Sequence, residues 1–143
     1  MPIRKAQAIW SGNLASGTGR IRSETGSVEG TYSAASRFET GSGTNPEELL
    51  GAAHAACFSM ALSHELAQAG FTPNSVDTTA KVSIEKGDGG FAITGVVLVT
   101  TADVPGIDAE TFQSIAEGAK NGCPVSRALA SVPIVLEAQL GNE

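Results

Sequence analysis

Two cysteines carry most of the chemical potential of this sequence: Cys57 in "AHAACFSMAL" and Cys123 in "KNGCPVSRAL". A thiol does redox or nucleophilic work as the thiolate, so each needs nearby positive charge or hydrogen-bond donors. Cys57 admits two readings, a small buried hydrophobe or a reactive thiol. It lies about three turns inside a helix, beyond the reach of that helix's own N-terminus, so a reactive thiolate there calls for an arginine from elsewhere. Arg37, in "SRFET", is the natural candidate; Arg20 and Arg22, flanking a predicted strand, are rivals. Each can equally be a solvated surface arginine. Glu47, ten residues before Cys57, either gains mildly from the helix dipole or holds an arginine through a bidentate carboxylate pair. Cys123 precedes Pro124 and is placed to cap a short turn whose free N–H groups favour a thiolate; the alternative is a turn residue with no redox role. His54 and His64, at −3 and +7 from Cys57, raise a Cys–His nucleophile or a His/Cys zinc site. No Cys-x-x-Cys accompanies them, and structural histidines are the commoner outcome.

The elements that must position these residues are written in local patterns. Residues 6–35 read as short strands, "AQAIW", "GTGRIRSE" and "TGSVEGTYSAAS", punctuated by glycines. "RFETGSGTNP" reads as a flexible, Gly-rich lead-in. A helix follows, with Asn45 as N-cap, Pro46 at the first position, Glu48 at N3 as in a capping box, and Gly70 as the stop. Its middle, Gly51 to Ala61, is dominated by Ala and Gly with no broad polar face, which predicts burial on most sides. "DTTAKVSIEK" and "FAITGVVLVTTADV" flank "GDGG" and predict a hairpin. "DAETFQSIAEGAKN" reads as a helix capped by Asp108, "PVSRALA" as a further turn, and "VPIVLEAQL" as a closing strand. The order predicts an α+β fold, with antiparallel sheets wrapped around a central helix, in one domain over residues 1–143.

Composition narrows the function classes. The net charge is −6 and the nine Lys and Arg are scattered, which argues against nucleic acid as a partner. "MPIRKAQAIW" lacks a long apolar h-region, and no apolar run reaches ~18 residues, so a cytoplasmic protein without a membrane partner is expected. A permanent structural disulfide is rare in that compartment. Aromatics are only 5% and glycines number 17, so stability must draw on close backbone approach or on a partner subunit.

"GTNPEELLGAAHAACFSMAL" and "DAETFQSIAEGAKNGCPVSRAL", with "FAITGVVL" and "VPGID", resemble the OsmC/Ohr family, the osmotically inducible and organic hydroperoxide resistance proteins, and most closely the OsmC branch. The resemblance spans essentially the whole chain. It implies an intertwined homodimer with active sites at the subunit interface and a stress-response peroxidase acting on organic hydroperoxides, more weakly on hydrogen peroxide. It implies that Cys57 is the peroxidatic cysteine, Cys123 its resolving partner, Glu47 the family glutamate and Arg37 the activating arginine, a role the Ohr branch takes from an earlier loop, where this chain has Arg20. An external dithiol would regenerate the pair, and no metal or organic cofactor is required, because sulfur carries the redox chemistry. Glu47 lies ~15 Å from Cys57 along a straight helix, so each site is expected to combine one subunit's cysteine with the other's Arg37 and Glu47. Two other classes stand beside this reading: a non-catalytic stress-induced dimer binding a hydrophobic ligand, and a Cys–His hydrolase using His54.

Overall fold

The computed structural model describes residues 1–141. The chain separates into two compact units, Met1–Leu49 and Leu50–Glu143, taken in turn. Its strands and helices together form an α+β fold.

The first unit opens with an antiparallel meander, β1 (Ala6–Ser11), β2 (Thr18–Ser23) and β3 (Glu29–Tyr32). Gly19 pairs with Trp10 on one side and Tyr32 on the other. The two rings meet across it, 5.5 Å between centroids, and a Cβ at residue 19 would lie 2.8 Å from the Trp10 ring. Glycine is required because aromatic carbon occupies the space a side chain would take.

The segment read as a third strand running into a flexible lead-in is different. After β3 the chain turns into a short helix, α1 (Ala34–Phe38). Ser33 Oγ accepts from Ser36 N at 3.1 Å, while Ser36 Oγ accepts from Ser33 N at 2.8 Å. This reciprocal cap uses serine where the sequence signature looks for Glu or Gln, so it was not visible as a helix start. The lead-in is also tied down. Ser36 Oγ lies 2.7 Å from the Thr44 carbonyl, Asn45 Nδ2 donates to the Ser36 carbonyl at 3.0 Å, and Gly41 N donates to the Ala35 carbonyl at 3.1 Å.

The long helix α2 (Pro46–Gln68) starts and stops where expected. Asn45 Oδ1 accepts from Glu48 N at 2.7 Å. Glu48 Oε2 takes the Thr44 hydroxyl at 2.8 Å, one residue further back than a capping box requires. Gly70 has φ +91°, and Phe71 N returns to the Leu66 carbonyl at 2.9 Å, closing the helix. In this chain α2 is not buried all round. Gly51, His54, Phe58, Leu62 and Leu66 form one buried face, whereas Ala52, Ala53, Ala56 and Met60 are exposed. The buried set steps by three or four residues, as one face of a helix must.

In the second unit, β4 (Ser75–Gly87) and β5 (Gly90–Asp103) form the expected hairpin around Asp88 and Gly89. Helices α3 (Ala109–Gly122) and α4 (Pro124–Ala128) follow, then β6 (Ile134–Leu140). Asp108 caps α3 as read, accepting from Thr111 N at 2.7 Å. Strand β6 corrects the expectation of purely antiparallel sheets: it pairs parallel to β5, Val96 opposite Ile134 through Ala102 opposite Leu140. The two helices between β5 and β6 form a crossover that carries the chain back to the end where β5 began, so β6 runs the same way. Phe58, Leu62 and Leu66 of α2 share one core with Val96 and Leu98 of β5 and Phe112 of α3.

Close backbone approach appears at Gly51, where an added Cβ would stand 3.3 Å from the Ala80 carbonyl of β4. At Gly118 of α3 a Cβ would meet nothing within 4 Å. The two helical glycines should therefore respond oppositely. Gly51→Leu is expected to destabilise by about 1–3 kcal/mol through overpacking. Gly118→Ala is expected to stabilise by up to about 1 kcal/mol through helix propensity. Urea unfolding midpoints of the two variants check this.

Candidate functional site

In the second unit, Cys57 on α2 and Cys123 at the α3–α4 junction hydrogen-bond to each other through their side chains, and both are free thiols. The local chemistry explains why they meet. Cys57 is three residues beyond His54, adjoining the helix face that enters the core. Cys123 ends α3 and, with Pro124 at the first position of α4, serves as that short helix's N-cap. It is fully buried, whereas Cys57 is partly exposed.

The donors are distributed unevenly. Burial pushes the Cys57 thiol up, its hydrogen bond to Cys123 pushes it further, and the Val125 N–H only partly compensates. Burial also opposes ionisation of Cys123. Against it act the Cys57 thiol, the N–H and hydroxyl of Ser126, and the Val125 N–H, which together bring Cys123 below the ordinary thiol range. These donors favour the charged form at Cys123 over Cys57. Cys57 lies beyond the start of its own helix α2, and the Val125 N–H that reaches it comes from the first turn of α4. The groups acting on Cys57 here do not supply the lowering that a peroxidatic thiolate needs.

Cys57 opens onto a mostly apolar groove of about 370 Å³, with Met60 and Ala61 of α2 on one side and Gly118 and Pro124 on the other. His64, exposed, lines it as well. His54 is wholly buried, and its Nε2 lies 2.7 Å from Ser126 Oγ. It thus engages a serine rather than Cys57, unlike a Cys–His nucleophile. No cluster of three or more His, Cys, Asp or Glu able to hold a metal occurs among the described residues.

The first unit brings together the other two predicted residues. Glu47, in the first turn of α2, is buried; Arg37, in the last turn of α1, is about one-third exposed. Arg37 Nη2 donates to Glu47 Oε1 at 2.7 Å, and Nε lies 3.1 and 3.2 Å from the two carboxylate oxygens. This planar fork fixes the guanidinium in a way lysine could not reproduce. The guanidinium also lies 5.3 Å from the centre of the Phe38 ring, and with Trp10, Leu14 and Tyr32 it borders an apolar depression of about 260 Å³. Arg20 instead pairs with Glu29 at 3.0 Å and is 62% exposed; Arg22 lies 3.7 Å from the same glutamate and is 68% exposed. Both have ordinary surface settings.

Ser126 is the residue that the sequence reading passed over. Its signal was available: "CPVS" repeats on α4 the three-residue spacing of "HAAC" on α2, so each segment sets a cysteine and a polar residue on one side.

The chain is similar to known proteins over most of its length. The profile of the family described as OsmC-like protein matches residues 39–137. Peroxiredoxin OsmC of Escherichia coli K12 is 54% identical over 138 residues, 96% of each chain. The organic hydroperoxide resistance protein OhrB of Bacillus subtilis is 35% identical over 97 residues, covering 66% of this chain and 69% of its own. The crystal structure of OhrB superimposes with a TM-score of 0.74 over 94% of this chain and 97% of that one, at 33% identity.

The unequal burial of the thiols has a direct readout. In the reduced native protein Cys57 should be alkylated by a bulky maleimide well before Cys123, and both should react after denaturation. Cys57→Ser should remove the fast phase. Comparable native rates for both thiols would contradict this burial pattern.

Proposed function

The chain belongs to the OsmC-like protein family, and on that premise we propose that it is a single-domain thiol peroxidase that reduces organic hydroperoxides through Cys57 and Cys123. The observation that carries this reading is the hydrogen bond between the two thiols. Two cysteines far apart in sequence and already in contact need little movement to form a disulfide. The names of the E. coli and B. subtilis relatives, a peroxiredoxin and an organic hydroperoxide resistance protein, point to the same chemistry.

The steps balance as follows. The Cys57 thiolate attacks one peroxide oxygen; an S–O bond forms, the O–O bond breaks, and the alkoxide leaves as the alcohol after taking a proton. Cys57 is now a sulfenic acid. The Cys123 thiolate attacks the Cys57 sulfur, the S–O bond breaks, hydroxide leaves as water after taking a proton, and the disulfide forms. An external dithiol returns both thiols by exchange and is itself oxidised. Sulfur alone carries the electrons. The apolar groove beside Cys57 supports a preference for alkyl hydroperoxides over hydrogen peroxide, which has no apolar part to bury.

Arg37, oriented by Glu47, is the proposed source of positive charge for Cys57, delivered by the partner subunit of a homodimer. The exposed Ala52, Ala53, Ala56 and Met60 of α2 give a small-residue face suited to a second copy. The enzyme is proposed to work in the cytoplasm, where its disulfide would be transient. No helix among the described residues is long and apolar enough to cross a membrane.

Cys57→Ser should abolish hydroperoxide consumption. Cys123→Ser should keep the first oxidation, lose dithiol-driven turnover, and leave Cys57 open to over-oxidation. Equal first-turnover rates in wild type and Cys57→Ser would end the peroxidase reading. In the same series, inactive Cys57→Ser and Arg37→Ala subunits refolded together should recover about a quarter of wild-type activity. Half the dimers are then mixed, each with one intact site. No recovery from verified heterodimers would place arginine and cysteine in the same subunit.

A further inference from the structure

His54 is buried, titratable, and unused by the chemistry above. Its Nε2 lies 2.7 Å from Ser126 Oγ, and its Nδ1 is buried with no hydrogen-bond partner. Burial keeps the ring neutral, lowering its pKa. A neutral imidazole has one N–H, and burying a bare lone pair costs less than burying an orphan donor. The proton therefore sits on Nε2 and is donated to Ser126 Oγ. That oxygen's own hydrogen is then free to point onward, and the Ser126 hydroxyl hydrogen-bonds to Cys123.

We propose that His54 and Ser126 are positioning residues for the resolving cysteine, forming a one-way donor chain from His54 Nε2–H to Ser126 Oγ–H to the Cys123 sulfur. The chain holds Cys123 as a thiolate aimed at Cys57. Its place in the cycle is the second step, attack on the Cys57 sulfenic acid. The inference rests on the peroxidase reading for that kinetic role, but the effect on ionisation can be measured without peroxide.

The groups facing Cys123 are few. Cys57 and His54 reach it from α2, the second through Ser126. On α3, Lys120 pairs with Glu117 at 2.8 Å. Arg127 of α4 is exposed. The strands contribute apolar core residues such as Val96 and Leu98. The chain is therefore the principal side-chain control on Cys123 besides Cys57 itself.

In the Cys57→Ser protein, Cys123 is the sole thiol, and serine keeps an O–H donor beside it. Thiolate absorbance near 240 nm against pH then reports Cys123 alone. A hydrogen bond to a charged group is worth a factor of about ten or more. Adding Ser126→Ala should thus raise the midpoint by about one pH unit. Ser126→Thr, which keeps the hydroxyl, should restore it. His54→Leu should shift the midpoint the same way but less, because Ser126 keeps its own O–H donor, and His54→Gln, which can still donate, should shift it least. With both cysteines present, Ser126→Ala should slow disulfide formation about tenfold after one equivalent of tert-butyl hydroperoxide. Unchanged midpoints and unchanged disulfide rates in Ser126→Ala would overturn the proposal. If Ser126→Ala does not fold, the comparison of His54→Gln with His54→Leu decides it by the same criteria. A wild type that consumes no hydroperoxide, together with a shifted Cys123 midpoint, would remove the peroxidase reading and leave the donor chain standing.

Discussion

Everything in the second unit converges on one contact, the hydrogen bond between the thiols of Cys57 and Cys123. Two sulfurs can share a proton only at short range, and neither cysteine can reach the other from an exposed loop. Cys57 has to ride on a helix that enters the core. Cys123 has to sit where α3 ends and α4 begins, with the N–H groups of Val125 and Ser126 turned towards the sulfurs.

The surrounding structure meets that constraint with small and apolar residues. Gly51 lets α2 come down onto β4, and Phe58, Leu62 and Leu66 anchor the helix in the core it shares with β5 and α3. The reactive residues then follow from spacing. His54 and Cys57, and Cys123 and Ser126, are each three apart on a helix or its cap, so two short segments bring four side chains to one place. In the first unit, a similar economy fixes Arg37. A five-residue helix ending at Phe38 presents the guanidinium to Glu47, which is held in turn by the first turn of α2.

What could be read from the sequence was what depends on neighbours in the chain. The caps at Asn45 and Asp108, the stop at Gly70, the hairpin at Asp88–Gly89 and the role of Cys123 before Pro124 are all local chemistry. The features that escaped depend on something further away or on an unfamiliar residue choice. Helix α1 was hidden because Ser36 does the work usually given to Glu or Gln. The parallel pairing of β6 is decided by a crossover through two helices, which no strand pattern records. The exposed face of α2 was hidden because alanine suits a buried helix and an uncovered one alike. The seat of the negative charge was the least legible feature. It depends on donors at Val125 and Ser126, more than sixty residues from Cys57, and the sequence reading allowed a thiolate at either cysteine. The family resemblance singled out the two cysteines; the unequal hydrogen bonding around the two sulfurs is visible only in the structure.

The central claim is that Cys57 and Cys123 act as one two-electron unit. The most direct test is to count free thiols in the fully reduced, denatured protein before and after one equivalent of an alkyl hydroperoxide, with excess peroxide removed before denaturation. The account predicts that both thiols disappear together, two per peroxide, and return on treatment with a dithiol. Retention of both thiols, or loss of one alone with the other still free, would contradict it.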